Sequence, residues 1–147
     1  MGKVKVLFVL GDEGWDGSYS ETIWAEKCKD GFVLNNVPFF KKGVCYQDTV
    51  TGKEISDGLV EYGKTVKKSA NSLYRVLFEK EKRTDAVILL RKIEDLGCIY
   101  ETNDLDEIFL VAINIPENVD IDVVWKIIET GIVNQTWEVQ EGDDRHA

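Results

Sequence analysis

Alternation of apolar and polar residues marks the first half of the chain and predicts β-strands. From residue 3 to residue 10 every second side chain is apolar, which is the period of a half-buried strand. Glycine-rich turn signals, among them Thr51-Gly52, separate further β-prone segments. Those segments are predicted at residues 22–27, 32–34, 37–40, 44–50 and 59–66. Closely spaced short strands favour a small barrel or a strongly bent sheet for this half.

Two segments of the second half have the period of an amphipathic helix instead. The first begins at Thr84, which can cap it, and runs to Leu96, with Gly97 ending it. Its apolar residues recur at i, i+3, i+4 and i+7, namely Ala86, Leu89, Leu90 and Ile93. The second helix is predicted at about residues 120–130, with Gly131 just beyond its end.

Strands complete the pattern of the second half. They are predicted at residues 72–79, 98–102, 107–114 and 135–140, with a hairpin turn at 103–106 and a loose polar tail at 141–147. This order is the ferredoxin-like βαββαβ arrangement, with both helices on one face of an antiparallel sheet. We therefore predict an α+β chain in which a β-rich half, residues 1–70, precedes a ferredoxin-like half, residues 71–147. The two halves are either separate lobes or one continuous fold.

The net charge of the chain comes entirely from the second half. The 147 residues carry a formal net charge of -9. Residues 1–70 hold ten basic and ten acidic side chains, whereas residues 71–147 hold eight basic and seventeen acidic ones. Such a field repels nucleic acid and attracts basic surfaces, although acidic side chains also serve solubility. Contact with a basic partner is expected first at the acids of the predicted hairpin, which are Glu101, Asp104, Asp106 and Glu107.

Side chains that commonly perform catalysis are scarce. The only histidine, His146, falls in the predicted loose tail, which argues against Ser-His-Asp, Cys-His and most zinc sites. The three cysteines, Cys28, Cys45 and Cys98, form no CxxC motif and are expected to be reduced and mostly buried. We therefore predict a protein that is not an enzyme and that needs no metal and no cofactor.

A glycine-rich loop follows the first strand. Gly11, Gly14 and Gly17 have the spacing GxxGxxG rather than the GxGxxG of a dinucleotide-binding loop. The acids between them would repel a phosphate, so a surface loop is favoured over a nucleotide site, and a hard-cation site is a weaker alternative. A tryptophan among acids is typical of a protein-contact anchor. The partner-binding residues predicted in this loop are Asp12, Glu13, Trp15 and Asp16.

Arg75 lies on a predicted strand, and the apolar residues Leu73 and Leu77 share its face. A partly buried arginine needs a carboxylate partner, and Glu101 or Glu21 would serve. A structural ion pair, with Arg75 and Glu101 as its members, is favoured over a functional site.

Several segments of the chain, taken together and in their order, resemble the sequence pattern of a known family. They are residues 21–26 (ETIWAE), 36–40 (NVPFF), 48–50 (DTV), 72–78 (SLYRVLF) and 96–98 (LGC) followed by Glu101. The chain is similar over most of its length to the bacterial family called domain of unknown function 4265. It departs from that family at Gln47-Asp48, where Gly-Asp is usual, so this turn is expected to differ. The resemblance implies a bacterial, cytoplasmic protein and supplies no mechanism.

Small, acidic bacterial chains without catalytic residues are similar in general character to immunity proteins, which neutralise the toxins of rival cells. Nuclease toxins are often basic because they bind phosphate backbones. We expect a cytoplasmic immunity or antitoxin-like inhibitor of a basic protein, such as a nuclease toxin domain, with neither nucleic acid nor membrane as partner. No apolar run approaches the ~18–20 residues needed to cross a bilayer, and no signal-peptide pattern opens the sequence. Two alternatives stay open: a small-molecule-sensing regulatory module, and an enzyme that uses only Glu21, Glu26, Asp48 and Arg75.

Overall fold

The computed structural model describes residues 2–11 and 20–146, and within them it contains nine β-strands and two α-helices. The chain is therefore of the α+β class, as the sequence predicts. It divides between Ser69 and Ala70 into two compact units. That division lies next to the predicted boundary, and the independence of the two halves stays a prediction. The acids and the tryptophan predicted between Gly11 and Ser20 lie outside the described residues.

The first unit consists of five strands. They are β1 (Lys3–Val9), β2 (Ser20–Cys28), β3 (Gly31–Leu34), β4 (Thr49–Ser56) and β5 (Leu59–Lys67). Each strand pairs antiparallel with the next, and β5 also pairs with β1 in parallel, so the pairing returns to the first strand. The β4–β5 register is irregular at several positions, which makes the ring of strands uneven on that side. The prediction that this half is β-rich is confirmed.

Two details predicted for the first unit are wrong. The expected strand at residues 37–40 and the first part of the one at 44–50 belong to a loop that joins β3 to β4. Thr51-Gly52 is not a turn but lies inside β4. A Cβ on Gly52 would come 2.1 Å from Cγ1 of Val60 on β5, so glycine is required there for close strand approach.

The second unit has the element order βαββαβ. Its elements are β6 (Ser72–Glu79), α1 (Arg83–Asp95), β7 (Ile99–Leu105), β8 (Ile108–Ile115), α2 (Ile121–Val133) and β9 (Glu138–Asp143). The four strands form a sheet in the order β7-β8-β6-β9, and all neighbours are antiparallel. One hydrophobic core joins the inner residues of both helices to alternate residues of β6 and β8, so both helices cover the same face of the sheet.

Several element ends differ from the prediction. Thr84 lies inside α1, whose N-cap position is Lys82, and makes no cap. Gly131 lies inside α2, where a Cβ would come 2.2 Å from Nε1 of Trp137. The close contact with an indole ring explains this glycine, which the sequence alone presents as a helix end. The β7–β8 turn is also shorter than expected, because β7 continues to Leu105 and only Asp106 and Glu107 lie between the strands.

No helix in the described part of the chain has both the length and the apolar character needed to cross a membrane.

Candidate functional site

Asp104, Asp106 and Glu107 of the β7–β8 hairpin are exposed, but one of them has a structural role. Lys80 Nζ lies 2.8 Å from Oδ1 of Asp104, and the same oxygen accepts the backbone N–H of Asp106 at 3.0 Å. The hydrogen bond from Lys80 and that from the Asp106 backbone lower the pKa of the Asp104 carboxyl. Asp104 therefore stabilises the turn, whereas Asp106 and Glu107 project at its tip.

Basic side chains surround this hairpin. The Lys80 ammonium lies 5.2 Å and the Arg83 guanidinium 5.4 Å from the centre of the Phe109 ring, next to the turn of the same hairpin. Both distances are within the range of cation–π attraction. The end of the unit that carries the hairpin therefore has mixed charge, whereas the sequence analysis considered only the hairpin acids there.

A second group of exposed acids lies at the opposite end of the second unit. Strand directions make α1 and α2 antiparallel, so the end of α1 lies beside the start of α2. A Cβ placed on Gly97, after α1, would lie 3.3 Å from Cγ2 of Val119, before α2, which shows how close the two loops are. Five exposed acids meet there and are called the acidic end below: Glu94, Asp95, Glu117, Asp120 and Asp122.

Helix dipoles affect these acids in opposite ways. Asp120 is the N-cap of α2, and its Oδ1 accepts the Asp122 N–H at 2.9 Å. Asp122 lies in the first turn of α2, where negative charge is favourable. Glu94 and Asp95 instead occupy the last turn of α1, next to the negative pole of that helix. No ion pair joins either of them to another described residue, and Lys92 is the basic residue in the same turn.

The predicted pair Arg75–Glu101 is compatible with the strand register. Both residues lie directly opposite Ala112, Arg75 on β6 and Glu101 on β7, so they flank this small side chain on one face of the sheet. Their backbones are two strand spacings apart, about 9–10 Å, which two long side chains can bridge. Arg75 is fully buried, and its Nη1 donates to Oε1 of Gln140 at 3.3 Å. The ion pair stays a prediction that this register allows.

Two buried carboxylates of the first unit bind backbone groups. Glu21 accepts the N–H groups of three consecutive residues in the β3–β4 loop, Phe39 (2.6 Å), Phe40 (3.0 Å) and Lys41 (3.0 Å).

Asp48 closes the same loop, because it accepts the N–H of Cys45 at 2.9 Å and that of Ser69 at 2.8 Å. Glu26 is exposed on the other face of β2, as its spacing from Glu21 predicts. Glu21 and Asp48 thus hold the loop together, and the geometry does not favour them as a catalytic pair.

The tail of the second unit is ordered by a contact that the sequence did not suggest. His146 Nδ1 lies 2.6 Å from Ser72 Oγ, and Nε2 lies 2.9 Å from the Pro116 carbonyl oxygen. Because a carbonyl only accepts, Nε2 carries a proton, and in the neutral ring Nδ1 accepts from the Ser72 hydroxyl. Ser72 Oγ also accepts the Arg145 N–H at 2.6 Å. The prediction of a loose tail is therefore wrong for the described residues.

The Ser72–His146 pair has the distance of a nucleophile and its base, but its surroundings differ. Ser72 is fully buried, and the ring nitrogen remote from it faces a carbonyl group instead of an orienting carboxylate. A neighbouring bond extends the same network, since the Tyr74 hydroxyl donates to Oδ2 of Asp144 at 2.9 Å. Burial, and then the bond to Asp144, raise the pKa of Tyr74. These contacts fix the tail to β6. No sequence signal identified them, because a single histidine among polar residues is uninformative.

A cavity of about 680 Å³ opens at the hairpin end of the second unit, beside the end of α2 and the start of β9. Its apolar lining residues include Leu77, Phe78, Ile132 and Trp137, and its charged lining residues are Glu79, Lys82 and Glu138. Residues 2–11 and 20–146 contain no group of three side chains suited to hold a metal ion. The three cysteines are free thiols.

Comparisons with known proteins give a fold and a family. The chain is similar to the crystal structure of a hypothetical protein from Neisseria gonorrhoeae, with a TM-score of 0.69 and 18% sequence identity over 97% of this chain and 94% of that one. At that identity the likeness shows the fold alone. No curated protein sequence matches the chain. The profile described as domain of unknown function (DUF4265) matches residues 21–139, which is most of the chain. The chain therefore belongs to the family known as domain of unknown function 4265.

Proposed function

We propose that the chain is a non-enzymatic binding protein that captures a basic protein through its acidic surface, as an immunity or antitoxin-like inhibitor does with its toxin. The observation that supports this proposal is the acidic end. Glu94 and Asp95 are exposed at the helix pole where negative charge is unfavourable, beside the acids that begin α2. Exposed acids at an unfavourable helix pole, without an ion pair to another described residue, are better explained by a binding role.

The physical chemistry of a basic partner fits this surface. A nuclease toxin domain carries lysine and arginine because it must bind phosphate backbones. An acidic partner accelerates encounter with such a domain by electrostatic steering and excludes the nucleic acid that would compete for it. The second half of the chain, with seventeen acidic and eight basic side chains, would provide that field.

Other acids have lesser parts in the proposal. Asp106 and Glu107 at the hairpin tip, together with the half-buried Glu101, would contact a partner that extends to the other end of the unit. Asp104 would first have to leave Lys80. The loop residues predicted from the sequence, Asp12, Glu13, Trp15 and Asp16, complete the proposed contact set.

The finer fold assignment and the location belong to the same proposal. The order β7-β8-β6-β9 supports a ferredoxin-like second unit, and the return of β5 to β1 supports a small barrel for the first. Three free thiols suit a reducing cytoplasm, where a protein of this kind would meet an incoming toxin.

Affinity capture from the native host, at low and high salt, tests the proposal. A basic protein retained in stoichiometric amount should be identified by mass spectrometry, and its association rate with the purified chain measured next. The double variant Glu94→Gln/Asp95→Asn should associate severalfold more slowly at low salt, with the difference shrinking at high salt.

The matched control removes the same charge from the first unit. Glu54→Gln/Asp57→Asn also neutralises two exposed acids, and it should leave the association rate close to that of the unaltered chain. Retention of no basic protein, or equal association rates for both double variants, would remove the acidic end from the proposal.

A second candidate function is a small-molecule-sensing regulatory module. The cavity of about 680 Å³ favours it, because its size is within the range of pockets that hold small ligands, about 300–1,000 Å³. A ligand that binds only the folded chain raises its melting temperature. Screening of metabolites by thermal shift therefore tests this function, and a panel without any shift argues against it.

A further inference from the structure

The cavity at the hairpin end lies where the pairing of β6 with β9 stops. β6 continues to Glu79, whereas its last partner on β9 is Glu138, which lies opposite Leu77. The residues before Glu138 turn away from the sheet towards α2. The cavity thus occupies the position that a longer β9 would fill.

The floor of this cavity includes two aromatic residues that are packed in the core. Phe78 and Trp137 are 5% and 4% exposed, so each presents one small surface and is otherwise packed in the core. Trp137 is held further by a hydrogen bond from its Nε1 to the carbonyl oxygen of Ile128 at 2.9 Å. Leu77 and Ile132 extend the apolar wall. An apolar ligand group of moderate size, and a flat ring above all, suits such a floor.

Charges of both signs line the same cavity. Glu79 and Glu138 supply carboxylates, and Lys82 supplies an ammonium group. Outside the cavity, the Glu81 side chain raises the pKa of Glu79 by a hydrogen bond, and a cation near Glu79 would offset this effect. A ligand ammonium would supply this cation, and a ligand carboxylate would pair with Lys82.

We infer that the cavity binds a small zwitterion with an aromatic or branched apolar side chain, the chemistry of a free apolar α-amino acid. The ammonium group of the ligand lies at Glu79 and Glu138, its carboxylate at Lys82, and its side chain on Phe78 and Trp137. This inference rests on the second candidate function and names the class of molecule that such a module would sense.

Three probes that differ only in charge test this assignment. L-phenylalanine has both charges, phenethylamine lacks the carboxylate, and 3-phenylpropionate lacks the ammonium group. Each is titrated into the full chain while the indole N–H signal of Trp137, identified from a Trp137→Phe sample, is followed by NMR. L-phenylalanine should shift this signal and bind roughly tenfold more tightly than either analogue, because each analogue leaves one charged group of the site unpaired.

Variants assign the two ends of the ligand. Lys82→Met should weaken phenylalanine but leave phenethylamine unchanged, whereas Glu138→Gln should weaken phenylalanine but leave 3-phenylpropionate unchanged. Lys92→Met and Glu129→Gln are matched controls, since both residues are exposed on the helices and line no part of the cavity. The controls should bind all three probes as the unaltered chain does.

Failure of the zwitterion assignment can be distinguished from failure of the small-molecule-sensing function. Equal binding of all three probes, or tighter binding of one singly charged analogue, would overturn the zwitterion assignment while leaving a small-molecule pocket in place. No shift of the Trp137 signal with any probe, together with no thermal shift in the metabolite panel, would overturn both the assignment and the candidate function on which it rests.

Discussion

At the scale of single residues, three buried polar side chains bind backbone groups. Glu21 satisfies three consecutive N–H groups, Asp48 satisfies two, and Ser72 accepts one from the tail. A buried N–H without a partner costs about 1–3 kcal/mol, so each of these side chains stabilises irregular backbone that no strand or helix supports.

Replacement of Glu21 by glutamine should therefore destabilise the first unit. The amide retains one acceptor oxygen but places an NH₂ group against N–H donors of Phe39–Lys41, and we expect a loss of about 1–3 kcal/mol in the free energy of unfolding. Urea denaturation followed by tryptophan fluorescence measures it. Glu26→Gln on the same strand is the control, and its exposed position should keep its effect within about 0.5 kcal/mol. Equal effects of the two variants would contradict the role assigned to Glu21.

The three thiols should differ in reactivity. Cys45 and Cys98 are buried, and burial raises the pKa of Cys98 to about 11, whereas Cys28 is partly exposed. At pH 8 only about one Cys98 thiol in a thousand would be ionised, and the thiolate is the reactive form. A colorimetric disulfide reagent should therefore titrate one thiol quickly in the native chain and all three in denaturant. Cys28→Ser should abolish the fast phase; a second fast thiol in that variant would contradict the assignment.

At the scale of elements, the sequence predicted strands and helices wherever one periodicity ran without interruption. β1, β6 and the body of both helices agree with the prediction. The β3–β4 loop was mistaken for strands because its side chains, such as Val37 and Val44, are as buried as those of a strand. Its backbone is held by carboxylates instead of a ladder, and alternation of side chains cannot reveal that. Gly52 was predicted to lie in a turn and Gly131 to follow a helix end, but both allow a neighbouring side chain to pack close to the backbone.

Substitution of Gly131 by alanine distinguishes a glycine that ends a helix from a glycine that allows close packing. If Gly131 ended the helix, alanine would be tolerated or would extend it. Because a Cβ would overlap the Trp137 ring, we expect a loss of about 1–3 kcal/mol, the cost of overpacking a core. Thermal and urea unfolding measure the change. Thr130→Ala, one residue earlier and exposed, is the control and should have an effect within about 0.5 kcal/mol. A stabilised Gly131→Ala variant would refute the packing role.

At the scale of the whole molecule, the acidic excess was visible in the sequence but its arrangement was not. Counting side chains located the charge in the second half, and the sequence then suggested the β7–β8 hairpin as its focus. The hairpin instead has Lys80 and Arg83 beside it, and a group of five exposed acids lies where α1 and α2 meet. Residues 94–95 and 120–122 come together only through the antiparallel packing of two helices, which no local pattern encodes.

Two explanations of the acidic end make opposite predictions for stability. If general repulsion within a molecule of net charge -9 dominates, removal of any two acids there should stabilise the fold. If the helix poles dominate, Glu94→Gln/Asp95→Asn should stabilise it by about 0.3–1 kcal/mol per residue, whereas Asp120→Asn/Asp122→Asn should not. Asparagine keeps the cap at residue 120 but removes favourable charge from the first turn of α2.

We expect the second result, because these charges lie within one turn of a helix end and salt screens longer distances first. Urea unfolding of both double variants at low and high salt measures the effect, and the difference between them should shrink as salt rises. Equal stabilisation of both would assign the effect to overall repulsion. A gain in stability at Glu94 and Asp95, together with slower capture of a basic partner, would show that the fold retains an unfavourable pair of charges because binding requires them.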